Sequence, residues 1–122
     1  VSSLALQAFA ERLAEADAIL VRVARVQGSG PREVGAWMAI WPDAMVNTIG
    51  GGNLEWGAIA RARDLLDQGV APAWGQEPDI QRVALGPSLG QCCGGVVHLS
   101  YQRVCAADWP SVELALRPPL IP

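Results

Sequence analysis

Cys92 and Cys93 stand side by side between Gly90 and the Gly94–Gly95 pair, with Gln91 before them, in the segment LGPSLGQCCGGVVHL at 85–99. Two thiols in a glycine-rich loop are candidates for redox chemistry or for a soft ligand, provided solvent reaches them. Adjacent cysteines seldom meet disulfide geometry, so a bond between these two is not expected. Glycine lets the backbone take φ > 0 and come close to a ligand, at an entropic cost. The plain alternative is a pair of small buried hydrophobes. Against it, a core strand rarely sets thiols among so many glycines. No CxxC pair is present, and His98 alone could add nitrogen, which argues against zinc.

A second glycine cluster lies in TIGGGNLEWGAIARARDLL at 48–66. A strand that ends in glycines and opens into a helix presents N–H groups and the positive end of the helix dipole. The amides around Gly50, Gly51 and Gly52, with Asn53 and Glu55 in the following turn, therefore suit a phosphate or carboxylate. The glycine spacing is not that of a dinucleotide fingerprint, and no Lys-Ser/Thr follows as in a nucleotide phosphate loop. The alternative is a tight turn with Asn53 as helix cap. A third cluster, GSGPREVG at 28–35, projects Arg32 from a loop stiffened by Pro31. A guanidinium fits phosphate or carboxylate in two-point contact, or it pairs at the surface with Glu33 or Glu55. One histidine cannot furnish a Ser/His/Asp set. His98 alternates with apolar neighbours and reads as a satisfied structural histidine, Cys105 as structural, and the five tryptophans as core or interface.

The elements that must carry these loops follow from periodicity. Leu6, Phe9, Leu13 and Ala16 recur at helical spacing and predict a helix over 3–17. Residues 19–26 predict a strand, and 36–41 with 45–49 a hairpin turning at Pro42–Asp43. A second helix is expected over 53–68, with Leu54, Ala58, Ala62 and Leu65 on one face and Gly69 just past its end. Strands at 80–85 and 96–101 flank the cysteine loop, and a short helix lies near 108–115. The expected class is α/β, with α+β as the variant: a mixed sheet with packed helices in a single small domain.

The 122 residues are 51% hydrophobic and 17% charged, which suits one folded domain. Net charge is −3, which argues against a nucleic-acid surface. Every basic side chain except His98 is arginine, so an anion must be met by guanidinium forks or backbone N–H groups. Glu11, Arg12, Glu15 and Asp17 interrupt the first apolar run, so no leader is expected there. No apolar run is long enough for a membrane span, and a reducing cytoplasm is the expected setting. Residues 1–115 read as the domain and LRPPLIP at 116–122 as the start of a Pro-rich linker in a longer protein.

Three motifs in order, GSGPREVGAWM at 28–38, TIGGGNLEWGAIARA at 48–62 and LGPSLGQCCGGVV at 85–97, resemble the XdhC/CoxI family. These are accessory proteins for maturation of xanthine dehydrogenase and related molybdenum hydroxylases. The resemblance covers about residues 19–101. It implies a non-catalytic chaperone that binds the molybdenum cofactor, molybdopterin with its metal, protects it and delivers it to an apo-hydroxylase. A cysteine desulfurase, as a further partner, supplies the terminal sulfur. It also implies a C-terminal Rossmann-like domain in full-length members. Asn53 departs from the histidine common in the glycine motif, and unlike histidine it cannot titrate near neutrality. On this footing the cofactor-binding candidates are Arg32, Gly50, Gly51, Gly52, Asn53, Glu55, Gln91, Cys92 and Cys93, with the two thiols as candidate molybdenum contacts. A homodimer is expected, with no nucleic acid and no membrane span. Two other readings stay open. One is an enzyme domain holding a phospho-ligand with Arg32 and the 50–52 loop, Glu55 serving as acid or base. The other is a thiol redox or soft-metal module built on Cys92 and Cys93.

Overall fold

The computed structural model describes residues 2–28, 33–85 and 95–118; Arg32, Gln91, Cys92 and Cys93 lie outside them. The element order is α1 (Ser2–Leu13), β1 (Ala18–Gln27), β2 (Trp37–Trp41), β3 (Ala44–Asn47), α2 (Gly52–Gln68), β4 (Asp79–Ala84), β5 (Val96–Val104), a 3-10 turn (Ala106–Asp108) and α3 (Trp109–Leu116). Among the described residues the strands form one five-stranded sheet in the order β3-β2-β1-β5-β4. All four strand pairs are antiparallel, and parallel character is confined to an isolated bridge between Ala73 and Arg103. Helices plus a single sheet in one small domain agree with the expected class. Among the described residues, however, the sheet is antiparallel and not mixed, because α2, the helix between strands, leads to an outer strand, β4, that pairs antiparallel with β5.

β1 alternates its side chains between two cores, as a central strand must. Ile19, Val21 and Val23 face α2 and meet Met38, Ile40, Ile49, Ala58, Ala62, Val97, Leu99 and Tyr101. Ala18 and Leu20 face the opposite side, where α1 supplies Leu6, Phe9 and Leu13 and α3 supplies Val112. Trp37 and Trp41 share that side, and the Phe9 ring lies 5.5 Å and 5.7 Å from theirs and 5.1 Å from that of Trp109.

Helix α1 stops at Leu13, four residues short of the periodic signal. Glu15 and Ala16 both bond back to the Arg12 carbonyl, tightening the turn into β1, and the Ala16 carbonyl accepts the Trp41 Nε1–H at 3.0 Å. β5 runs on to Val104 because β1 pairs with it along its whole length, carrying Gln102 and Arg103 into the ladder. α2 ends as expected, with Gly69 in the left-handed conformation at φ 65°. At its start the cap position falls to Gly51 with no side-chain cap bond, so Asn53 lies exposed inside the helix and does not cap it.

Candidate functional site

Antiparallel order decides where the three glycine motifs meet. β1, β3 and β4 end, and β2 and β5 begin, at the same edge of the molecule, as the pairs Gln27↔Val96, Ala84↔Val96, Arg22↔Trp37 and Met38↔Asn47 require. The loops after β1, after β3 and between β4 and β5 therefore emerge together, beside the N-terminus of α2. The third loop is closed at its base by the Leu85 N–H donating to the Gly95 carbonyl at 2.8 Å, and Leu85 packs in the same core as Ile49.

The glycine triplet after β3 is built from successive positive φ angles, 134° at Gly50, 75° at Gly51 and 68° at Gly52. That run turns consecutive N–H groups inward, as expected for an anion nest. Its resident anion is Glu55. One carboxylate oxygen, Oε1, accepts the N–H groups of Ile49, Gly50 and Gly51 at 3.1, 3.2 and 3.1 Å, and the Thr48 hydroxyl as well. Burial pushes the Glu55 carboxyl up, but the bonds from Thr48, Gly51, Ile49 and Gly50 outweigh it and hold the group below the ordinary carboxylate value. Glu55 is thus a poor proton donor near neutrality, and its carboxylate is committed to these donors rather than to an arginine.

A cleft of about 490 Å³ opens against this turn. Glu33, Val34 and Gly35 from the first motif, Asn47 at the end of β3 and Thr48 from the second motif line it together with Arg22, Trp37 and the end of α3. Arg22 is the residue that sequence reasoning missed. Its guanidinium lies half-buried, 5.2 Å over the Trp74 ring, and donates to Gln102 Oε1 at 3.2 Å. Desolvation lowers its pKa, and it takes part in no ion pair among the described residues. A rigid, partly dehydrated cation without a carboxylate partner is an anion acceptor in waiting. Strand alternation alone could have flagged it: a charge between Val21 and Val23, on the face that continues Ala18 and Leu20.

Two aromatic and sulfur expectations resolve differently. Trp56, the fifth residue of α2, is 74% exposed, so it is not core. Cys105 is structural as expected: Asp108 Oδ2 accepts its N–H at 2.9 Å and its thiol at 3.3 Å, closing the 3-10 turn. The expectation of a satisfied His98 fails in one respect, because its buried Nδ1 has no hydrogen-bond partner. Among the described residues no group of three or more His, Cys, Asp or Glu could hold a metal ion, and no helix is long and apolar enough to cross a membrane.

No curated protein matches the chain. Among solved structures, it resembles a crystal structure of a protein named as a xanthine dehydrogenase from Bacillus halodurans, with 20% identity and a TM-score of 0.60. The likeness covers 81% of this chain but 30% of that one, so the chain spans less than a third of that protein's length. At that identity it speaks for a shared fold. The model of the XdhC and CoxI family matches residues 12–72, half of the chain, from the end of α1 through the glycine triplet and α2. With that match across the segment that builds the anion nest, the protein belongs to the XdhC and CoxI family.

Proposed function

We propose that this domain is a non-catalytic chaperone for the molybdenum cofactor, which it binds, shields and passes to an apo-hydroxylase of the xanthine dehydrogenase type. The observation that carries the proposal is that the strands bearing all three glycine motifs open at one end of the sheet, where Arg22 lines a cleft with Glu33, Val34, Gly35 and Thr48. Molybdopterin offers an anionic phosphate, a planar polar ring and a dithiolene-bound metal, and the loop cluster offers a counterpart to each. Arg22 and Arg32 suit the phosphate as guanidinium forks. The amides of Gly50, Gly51 and Gly52 suit it too, in exchange for the Glu55 carboxylate that holds the nest. The exposed Trp56 indole suits a planar ring, and Asn53 and Gln91 suit its polar edge. Cys92 and Cys93 suit the soft metal end as thiolate ligands. A cysteine desulfurase supplies the terminal sulfur while the cofactor is held.

The domain should be tested by co-expression with cofactor synthesis, followed by pterin extraction and fluorescence. Pterin is expected to co-purify with the domain. Arg22→Gln should lower the retained pterin about tenfold, the worth of one charge-assisted contact, with an unchanged melting temperature. Cys92→Ala and Cys93→Ala should differ from each other in loading and in activation of an apo-hydroxylase. Absence of pterin, or full retention in all three variants, overturns the proposal.

A further inference from the structure

Among the described residues, no helix packs on one face of the sheet along β4 and along β5 before Val104. The register places Arg25 and Arg82 directly opposite His98, one on each side, so that the three form a row across β1, β5 and β4. The next row on the same face is Arg22, Ser100 and Ile80. The irregularity between Val23 and Arg25 brings Arg25 onto the face of Arg22 despite their odd spacing. On this side α1 and α3 share a core with Ala18, Leu20, Trp37, Ala39, Trp41 and Val104, a core that takes no residue of β4 and only Val104 of β5. Arg25 and Arg82 are left exposed, with Ile80 at 48% and Val34 at 63% beside Arg22.

Among the described residues these cations form no ion pair, although Glu33 lines the same cleft as Arg22. All twelve acidic residues of the chain fall among the described residues. The ion pairs join Arg61 to Asp79, Arg103 to Asp17 and Arg117 to Glu113, and leave Arg22, Arg25 and Arg82 without a carboxylate. Like charges gathered on one sheet face cost stability. Concentrating them on a chain of net charge −3 makes a local cationic field on an anionic molecule.

We propose that this open face docks an acidic protein segment, whose carboxylates pair with Arg25, Arg82 and the outer edge of Arg22 while Ile80 and Val34 supply apolar contact. Three features favour a protein over other occupants. Arginine matches carboxylate in two-point geometry and is enriched at protein interfaces. Exposed aliphatic side chains lie among the guanidinium groups. A second copy joined through this face by two-fold symmetry would set arginine against arginine. The surface meets the proposed cofactor cleft at Arg22 and Val34, but Arg25 and Arg82, on which the test turns, are outside that cleft's lining, so its failure is distinguishable from failure of the proposed cargo.

The test uses a fluorescein-labelled oligo-glutamate peptide and fluorescence anisotropy over a salt series, with a single-stranded oligonucleotide of equal charge in parallel. The expected result is peptide binding that weakens with salt. Arg25→Gln with Arg82→Gln should reduce it about tenfold, two charge pairs being lost, without a change in melting temperature. Arg12→Gln, an exposed charge on α1, should bind as wild type. Failure of the peptide to bind, wild-type affinity in the double variant, or tighter binding of the oligonucleotide overturns the proposal.

Discussion

Protonating Glu55 removes the charge on which four donors converge. Since its pKa in the folded protein is depressed, its contribution to stability is present above the unfolded value of about 4.3 and is lost as pH falls through the folded one. Glu55→Gln should therefore cost about 1 kcal/mol at neutral pH, the scale of a helix cap. Thermal melts taken into acid should show the gap between variant and wild type closing. A gap that persists in acid would mean that shape, not charge, fills the nest. His98 makes the converse case. Its buried Nδ1 has no partner, so the fold bears the cost of an unmet polar atom. His98→Leu should leave stability unchanged or raise it by about 1 kcal/mol. A fall of that size in denaturant titration would show that Nδ1 is satisfied in solution.

The glycine turn before α2 can be probed without touching a contact. A Cβ at Gly51 or Gly52 meets nothing within 4 Å, so the cost of Gly51→Ala comes from its φ of 75° alone. About 1–3 kcal/mol is expected, because φ 75° with ψ −172° is a backbone region essentially reserved for glycine, read as a lower denaturation midpoint with an unchanged slope. Elements with a strong period were legible in the sequence. Ala58 and Ala62 face the core, and Gly69 ends α2, as their spacing implies. Elements bounded by tertiary contacts were not. α1 ends where the Ala16 carbonyl meets Trp41, and β5 extends because β1 lies beside it, neither of which is a local property. The glycine motifs were legible one by one, but their convergence is a product of strand order. Alternation along β1 could flag Arg22 itself, but not what holds it, since Trp74 and Gln102 are distant in the chain. The Glu55 carboxylate in the nest was missed because that acid was read as a surface partner for Arg32 or as a catalytic group, not as a side chain folding back on the preceding amides.

Taken whole, the molecule leaves Leu4, Trp56, Val70 and Leu114 exposed as well as the open sheet face. Burial of some of that apolar surface is expected in a homodimer. Light scattering should give a dimer mass at working concentration, and a monomer mass at every concentration would remove the homodimer. Strand order carries one more consequence, for synthesis. β1 is the middle strand, yet its longest partner, β5, is the last strand made, and Arg22 and Gln102, which join across that seam, lie 80 residues apart. Such non-local pairing slows folding. While the chain is emerging from the ribosome, α1, β1, the β2–β3 hairpin and α2 can assemble, but one side of β1 stays an open ladder edge until Val96–Val104 arrives. An unpaired apolar edge is a template for misassembly. A nascent chain halted after α2 should therefore be a client of the cell's folding machinery, and residues 12–72, though they hold the family's signature, should not fold by themselves.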